Sequence, residues 1–320
     1  MIIQKWKNAK IRVQGIDHKE NQKPCQDAVY TLKDNGVTAI ALADGAGSRK
    51  NAEIGAQIAT KKVCELLTQN FQHYLQISEQ QSDPSLKKAY PSLRETLHDE
   101  LYRAIADFAH NNTEIKVYDM ASTLMFFAFR NGRYIMGHIG DGVIVGLQSG
   151  LRQDYLDVLS HPDNGDQPNV TFFLTEPDGK DHLRLSIGKV GSLKGILLMS
   201  DGPEEVFYDK HKGMHHNTLK VFQNFQNVIE EEYETVLKNL LDNNVAKYSF
   251  DDLSLNLLFL EEVSTQNLSK DYAETLFKDI ISKRQIIRRS RMTVFVDDSV
   301  EYFPRDFNTT QALLDYLETL

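Results

Sequence analysis

The sequence predicts an α+β fold in which helices are layered on antiparallel strands. Short apolar segments follow one another through hairpin-like turns instead of alternating strictly with helices, which favours antiparallel pairing. Two long segments carry apolar residues at helical spacing on one side only, so each should lie on a larger apolar surface such as a sheet. With 41% hydrophobic and 25% charged residues over 320 positions, the chain has the composition of a globular protein of one large or two ordinary domains.

The two predicted helices cover residues 51–75 and 92–110. Apolar side chains recur every three or four residues along both segments, which is typical of amphipathic helices. Asn51 is expected to cap the first helix, because asparagine accepts hydrogen bonds from the free amides of a first turn. Residues 76–92 between the helices are polar and contain two prolines, which indicates a surface segment.

Six segments are predicted to be strands because they are short, apolar and rich in branched or small residues. Asn131-Gly132 separates two of them and predicts a two-residue hairpin, since both residue types tolerate the positive φ angles of a type I′ turn. Residues 203–250, with a helical stretch near 218–240, are predicted to be an insertion between two strands. The predicted strands are 37–43, 123–130, 133–140, 143–147, 195–200 and 253–260.

The sequence changes character near residue 264, so a core domain is predicted for residues 1–262 and a helix-rich C-terminal appendage for 263–320. The appendage has an apolar helical stripe and a basic cluster between Lys283 and Arg291, followed by a strand-like segment at 293–296 and a helix at 310–317. The basic cluster either attracts an acidic or phosphorylated partner or merely solvates one helix face. Both interpretations stay open.

Charge and composition exclude several classes of protein. The net charge of −9 argues against a nucleic-acid partner held by phosphate contacts. No apolar run approaches the ~18 residues that span a bilayer, and the first residues lack a signal-peptide core. Cys25 and Cys64 are too few for a disulfide framework or a four-cysteine zinc site. We therefore expect a reduced, cytoplasmic location without a membrane partner.

Four acidic residues stand where predicted strands begin or end, three of them directly before a glycine, and Asp27 precedes a further apolar stretch. One aspartate in such a place is commonly a turn former. Several in one core indicate more, because converging carboxylates repel one another and stay ionised only if cations neutralise them. The five strand-end acids are Asp27, Asp44, Asp141, Asp201 and Asp251.

Oxygen ligands without paired histidines or cysteines select hard ions, so the acids predict Mg²⁺ or Mn²⁺. Gly45 offers a further oxygen ligand, because a glycine lets the backbone turn sharply and brings its carbonyl beside the Asp44 carboxylate.

Six short motifs follow one another in an order that resembles the metal-dependent serine/threonine protein phosphatases of type 2C, the PPM family, in a bacterial-like variant. The resemblance covers about residues 10–262 and implies a four-layer α-β-β-α sandwich of two antiparallel sheets flanked by helices, with metals at one end. The motifs are Gln26-Asp27, Ala-Asp-Gly-Ala-Gly-Ser at 43–48, Ala-Ser-Thr-Leu at 121–124, Gly140-Asp141-Gly142, Met-Ser-Asp-Gly at 199–202 and Asp-Asp-Leu-Ser at 251–254.

The resemblance implies two metal ions, with Asp44 bridging both and the Gly45 carbonyl binding one of them. Asp201 and Asp251 are implied to complete the protein ligands of the other ion. The implied reaction is hydrolysis of phosphoserine or phosphothreonine in proteins by a metal-bridging water, with a phosphorylated protein as substrate and a Ser/Thr kinase or its target as partner.

Further roles follow from the same resemblance. Asp27 is implied to hold metal-bound water, and Asp141 to belong to a third, weaker metal site. Ser122 and Thr123 match a buried structural pair, and the insertion at 203–250 falls where the family has a variable flap.

The sequence departs from the family pattern at three places. Gln22 and Lys23 stand near the place of an arginine that grips the substrate phosphate, Ala46 replaces a histidine, and Gln26 replaces an acid. His18 is therefore a candidate catalytic residue, acting as a phosphate ligand or general acid. The alternative is a solvent-exposed histidine in a polar turn.

Two other functions stay open. Ala46 and the missing arginine favour a pseudophosphatase that binds a partner without catalysis, whereas the full set of acids disfavours it. A phosphatase for a small phosphorylated molecule is the third interpretation.

Overall fold

The computed structural model describes residues 2–81, 92–151, 153–163, 171–209, 213–215, 218–225, 228–264, 293–296 and 299–302. The chain divides into a unit of residues 8–258 and a second unit of residues 1–7 with 259–320. The domain boundary at residue 262 stays a prediction. The helices expected within 269–291 and 310–317 lie outside the described residues, whereas the strand-like segment at 293–296 is a strand.

One five-stranded antiparallel sheet has the order β2-β3-β4-β5-β8. β3 is alanine-rich and wholly buried, so helices can approach it closely. The predicted hairpin is present, since Asn131 and Gly132 have φ angles of 49° and 72° and join β4 to β5. The strands are β2 (Ala28–Asp34), β3 (Val37–Ala43), β4 (Leu124–Arg130), β5 (Arg133–Ile139) and β8 (Arg184–Lys189).

A second antiparallel sheet has the order β1-β12-β9-β6-β7 within residues 8–258. In the other unit, Ile3 of β1 pairs with Glu301 of β14, and β14 pairs with β13. The strands are β1 (Ile2–Val13), β6 (Val143–Gln148), β7 (Tyr155–Ser160), β9 (Leu193–Met199), β12 (Leu253–Ser264), β13 (Thr293–Val296) and β14 (Ser299–Tyr302).

Two long helices cover the first sheet, as their one-sided apolar patterns predict. α2 (Ala52–Gln81) packs against β2, β3 and β4 and against α3 (Leu93–Asn111). Ser92 and Glu95 form a capping box at the start of α3, in which each side chain bonds the other residue's backbone amide. Asn51 directly precedes α2, where an N-cap is expected.

The two sheets pack face to face. Asn256 of β12 is fully buried and donates hydrogen bonds to the carbonyls of Tyr30 and Ala41, which belong to the opposite sheet. On the outer face of the second sheet, a Cβ added to Gly195 would lie 2.4 Å from a ring atom of Phe222, so the α6 helix (Thr218–Gln223) covers β9. The predicted arrangement of two antiparallel sheets flanked by helices is confirmed.

The segment between β9 and β12 is mixed, as predicted, but the described residues of its helical stretch form two separate helices, α6 and α7 (Tyr233–Asn244). The remaining elements are short or polar, and none of the described helices is long and apolar enough to cross a membrane. These elements are α1 (Ile16–Glu20), α4 (Gly179–His182), α5 (Asp201–Phe207), β10 (Tyr208–Asp209), β11 (Gly213–Met214) and 3-10 turns at Val117–Met120 and Glu230–Glu232.

Candidate active site

Strand pairing brings the strand-end acids together. Ala28 at the start of β2 pairs with Ala43 at the end of β3, so Asp27 and Asp44 are neighbours across two strands. Val143 at the start of β6 pairs with Met199 at the end of β9, which places Asp141 and Asp201 beside each other. In an antiparallel pair, one strand ends where its neighbour begins, so both positions lie at the same end of the strands. The acids converge at this end.

The backbone around Asp44 is fixed by the Ser122–Thr123 pair. The Asp44 amide donates to the Thr123 hydroxyl at 2.9 Å, and the Thr123 amide donates back to the Asp44 carbonyl at 2.8 Å. Gly45 forms an isolated bridge with Ser122. These bonds hold the Asp44 backbone in one conformation, which is how a preorganised ligand site is built.

The glycines after Asp44 and Asp201 are required by close packing. A Cβ at Gly45 would lie 2.7 Å from the Gln26 carbonyl oxygen, and one at Gly202 would lie 2.2 Å from the Asp252 carbonyl oxygen. A larger residue would force these segments apart. The Asp-Gly pairs therefore keep neighbouring loops in contact at the site.

Asp27, Asp44 and Asp201 form a mutually repelling cluster in which Asp27 is fully buried and the other two are half-buried. Burial raises the pKa of Asp27 to about 8, and the charges of Asp252 and Asp201 act in the same direction. Burial likewise raises the pKa of Asp44 well above its ordinary value, with contributions from the charges of Asp27, Asp201 and Asp141. Without a compensating positive charge, these side chains take up protons more readily than ordinary carboxylic acids.

Asp141 and Asp251 extend the cluster towards solvent. Burial raises the pKa of Asp201 to about 7, assisted by the charges of Asp141 and Asp251. Burial also raises the pKa of Asp141, with a further contribution from Asp251. Asp251 itself is exposed. The five strand-end acids thus form one electrostatic group that runs from the protein interior to its surface.

Several oxygens of this group have no hydrogen-bond donor. Both carboxylate oxygens of Asp27 and Oδ1 of Asp201 are buried without a partner among the described residues. Buried carboxylates are ordinarily paired, so such orphans require another partner. A set of carboxylates and a glycine carbonyl matches the oxygen ligands that Mg²⁺ and Mn²⁺ take. The residues present therefore fit divalent cations.

Asp252 has the opposite environment. It is 2% exposed and accepts three hydrogen bonds, from the Gly15 amide at 2.7 Å, the Gln26 amide at 2.6 Å and His18 Nδ1 at 2.8 Å. Because a carboxylate only accepts, His18 Nδ1 carries a proton. Asp252 thereby fastens both ends of the segment from Gly15 to Gln26 and orients the imidazole ring.

His18 is buried and lines a cavity of about 480 Å³ together with Asp201 and Asp251. Ligand atoms of His18, Asp251 and Asp252 all lie within 4.8 Å of one another. The alternative of a solvent-exposed histidine in a polar turn is therefore wrong. All the candidate residues named from the sequence, from Asp27 to Asp251 and including His18, meet in one place.

Two features of the site were missed by sequence reasoning. Asp252 is recognisable in the sequence only as part of the motif at 251–254. Two consecutive aspartates at a strand start point to opposite faces, so they must have different environments. Lys23 lines the cavity and donates to the Gly47 carbonyl at 3.2 Å. The sequence indicated Lys23 only through its place near the position where the family has an arginine.

Ala46, which differs from the family pattern, has a defined backbone contact. Ala46 is buried and its amide donates to the Ala121 carbonyl at 3.0 Å.

Cys25 is a free thiol whose pKa is raised by burial and by the charge of Asp27. A thiol with a raised pKa is a poor nucleophile, so the site is not built for cysteine chemistry.

The chain matches a known protein family. Residues 14–242 match the family described as protein phosphatase 2C. A search of the curated proteins finds no match.

Solved structures share the fold at low identity. A bacterial serine phosphatase is 15% identical with a TM-score of 0.53, and the match covers 82% of this chain and 100% of that one. Stp1, a serine/threonine phosphatase from Staphylococcus aureus, is 14% identical with a TM-score of 0.55, covering 80% of this chain and 95% of that one. A sex-determining protein from C. elegans is also 14% identical with a TM-score of 0.54, covering 79% of this chain and 64% of that one. At these identities the likeness shows the fold.

Proposed function

The chain belongs to the protein phosphatase 2C family, and we propose that it hydrolyses phosphoserine and phosphothreonine in phosphorylated proteins. The observation that carries the proposal is the group of repelling acids beside the cavity, in which oxygens of Asp27 and Asp201 are buried without a hydrogen-bond partner among the described residues. A protein that only binds a partner has no need for several repelling carboxylates in its interior. Such carboxylates destabilise the folded protein unless bound cations neutralise them.

Asp44, Asp201 and Asp251, with the Gly45 carbonyl, would hold two Mg²⁺ or Mn²⁺ ions. When bound, such ions supply a nucleophilic water at neutral pH and neutralise charge on the phosphate oxygens. Asp27 would orient water beside the ions, because its oxygens are buried and have no donor among the described residues. Asp141 would contribute to a third, weaker cation site.

His18 is proposed to protonate the leaving oxygen of the substrate. Its Nδ1 is held by Asp252 at 2.8 Å, which leaves Nε2 as the nitrogen available to a substrate in the cavity. A ring with both nitrogens protonated can donate from Nε2, and a positioned imidazole suits this role near neutral pH. Asp252 would then act as a positioning residue.

Lys23 is proposed to contact the substrate phosphate. Among the described residues that line the cavity, it is the one with a permanent positive charge. An ammonium group binds phosphate as a point charge and lacks the two-pronged geometry of arginine. We therefore expect weaker orientation of the phosphate than an arginine would give.

The partner is proposed to be a phosphoprotein whose kinase is a Ser/Thr kinase, and cytoplasmic location stays a prediction. The appendage is proposed to modulate the choice of protein substrate. The competing function is a pseudophosphatase, which the buried alanine at position 46 favours.

The deciding experiment measures release of phosphate from a phosphoserine peptide and from p-nitrophenyl phosphate, with Mn²⁺, with Mg²⁺ and with a chelator. We expect turnover of both compounds with a metal and none with the chelator. Binding of Mn²⁺ without turnover of any phosphoester would favour the pseudophosphatase. Turnover of small phosphoesters but of no peptide would favour a small-molecule phosphatase.

A further inference from the structure

Two aromatic rings are exposed beside the candidate active site. Tyr248 and Phe250, here called the aromatic rim, are 65% and 64% exposed. Among the described aromatic residues no other ring is as exposed. Large aromatic side chains gain free energy when they are covered, so two exposed rings close together mark a surface that binds something apolar.

The backbone carrying these rings is held in place. The amides of Tyr248 and Ser249 both donate to the Val245 carbonyl, at 2.8 Å and 3.2 Å. The Asp17 amide donates to the Phe250 carbonyl at 3.1 Å. The loop is therefore fixed by hydrogen bonds on both sides of Ser249 while its rings face solvent, which is the preorganised arrangement of a binding surface.

The aromatic rim belongs to the same cavity as the acids. Tyr248 and Phe250 line the cavity of about 480 Å³ that Asp201 and Asp251 also line. Phe250 directly precedes Asp251. A molecule whose phosphate reaches the acid end, with cations present, therefore has its neighbouring groups beside the rings.

The other walls of the cavity are polar. Asp17, Asn21 and Lys23 line the side formed by the segment around α1. The rim supplies the two large apolar side chains among the lining residues. The cavity thus has a charged end, a polar wall and an apolar wall, which fits a phosphorylated chain with an apolar residue next to the phosphate.

We propose that the aromatic rim is a substrate subsite that binds an apolar side chain adjoining the phosphoserine or phosphothreonine of a peptide. This inference rests on the proposed function and specifies its substrate class. A membrane surface is disfavoured as the occupant because the chain has a net charge of −9 and the rings adjoin exposed Asp17 and Asp251.

The test uses a pair of fluorescent peptides that carry the non-hydrolysable phosphonate analogue of phosphoserine and differ only in a leucine or a serine beside it. Their dissociation constants are measured by fluorescence anisotropy with Mn²⁺ present. The wild-type chain should bind the leucine peptide at least about fivefold more tightly, because one buried leucine side chain accounts for this ratio. Phe250→Ala and Tyr248→Ala should each reduce the ratio to below about twofold.

Tyr155→Ala is the matched control, because Tyr155 is 51% exposed on β7 and does not line the cavity. Its ratio should equal that of the wild type. The proposal is overturned if the wild type binds both peptides equally, or if Tyr155→Ala loses the ratio as the rim variants do. It is also overturned if the rim variants keep the ratio and only change the oligomeric state.

Hydrolysis of a phosphoserine peptide by the wild-type chain separates this inference from the proposed function. A leucine preference in binding without any hydrolysis would refute the phosphatase and retain the subsite. Hydrolysis without a leucine preference would refute the subsite and retain the phosphatase.

Discussion

Asp27 and Asp252 are both buried, at 0% and 2% exposed, but their surroundings are opposite. Asp252 accepts hydrogen bonds from two backbone amides and from His18. Neither carboxylate oxygen of Asp27 makes a hydrogen bond among the described residues. Burial raises its pKa to about 8, although the nearby Ser254 hydroxyl acts in the opposite direction. One carboxylate is part of the framework, whereas the other lacks a positive partner.

The difference shows that burial alone does not identify a functional acid. A buried carboxylate with a full set of donors stabilises the loops that it joins. A buried carboxylate without donors destabilises the metal-free protein and is retained only if a ligand compensates it. Unsatisfied oxygens are therefore the better marker of the candidate metal site, and each prediction below changes one side of this comparison.

The largest effect is expected from Asp44→Asn, in the cluster of repelling acids. If Asp44 holds two cations as proposed, loss of its charge should lower kcat/KM for p-nitrophenyl phosphate by roughly 1000-fold, because the cations would bind the phosphate and supply the attacking water. The variant should stay folded, since removal of a repelling charge relieves the cluster. Steady-state kinetics with Mn²⁺ and circular dichroism check the two statements. Near-normal activity in a folded variant would refute the metal site.

Asp252→Ala tests the buried carboxylate that accepts a full set of hydrogen bonds. It leaves three buried donors without an acceptor, so the free energy of unfolding of the metal-free protein should fall by about 3 kcal/mol. Asp27→Asn should not lower the same quantity and should raise it near neutral pH, because it removes a buried carboxyl whose raised pKa destabilises the folded state there. Urea unfolding with a chelator present measures both. Equal losses in the two variants would remove the distinction between these acids.

His18→Gln tests whether the imidazole that Asp252 orients donates a proton to the leaving group. A general acid matters most for a poor leaving group, so kcat for a phosphoserine peptide should fall about 100-fold. Turnover of p-nitrophenyl phosphate, which has a good leaving group, should fall less than about threefold. Equal large losses on both substrates would assign His18 to phosphate binding, with no role as the acid.

The stability of the metal-free protein should also depend on pH. The pKa values of Asp27 and Asp201 are raised to about 8 and about 7 from an ordinary value of 3.8. Between these limits the folded metal-free protein holds protons that the unfolded chain has released, so its stability falls as pH rises from 5 to 8. The slope is about 1.4 kcal/mol per pH unit for each group that is fully protonated only when folded.

Urea unfolding of the metal-free protein across this pH range gives the slope. Asp27→Asn should flatten it relative to the wild type, and saturating Mn²⁺ should reverse its sign because metal binding requires ionised carboxylates. An Asp27→Asn profile parallel to that of the wild type would contradict the assigned pKa.

Most of the central elements follow from local pattern. The stretch that forms β3 is apolar throughout, and α2 carries a regular apolar face, so both are recognisable without neighbours. The strands β1, β2, β7, β8, β10, β11 and β14 were not predicted. β2, β7 and β8 lie at sheet edges, where half-exposed side chains give a mixed pattern.

The sequence by itself determined which acids stand at strand ends, because an aspartate before a glycine after an apolar run is a local feature. It also identified His18 as a candidate, through the absence of a histidine at position 46. Only the tertiary structure decided that Asp252 is satisfied and Asp27 is not. The donors of Asp252 come from residues 226 to 237 positions away along the chain. Hydrogen-bond satisfaction depends on such distant neighbours, and local pattern carries no record of them.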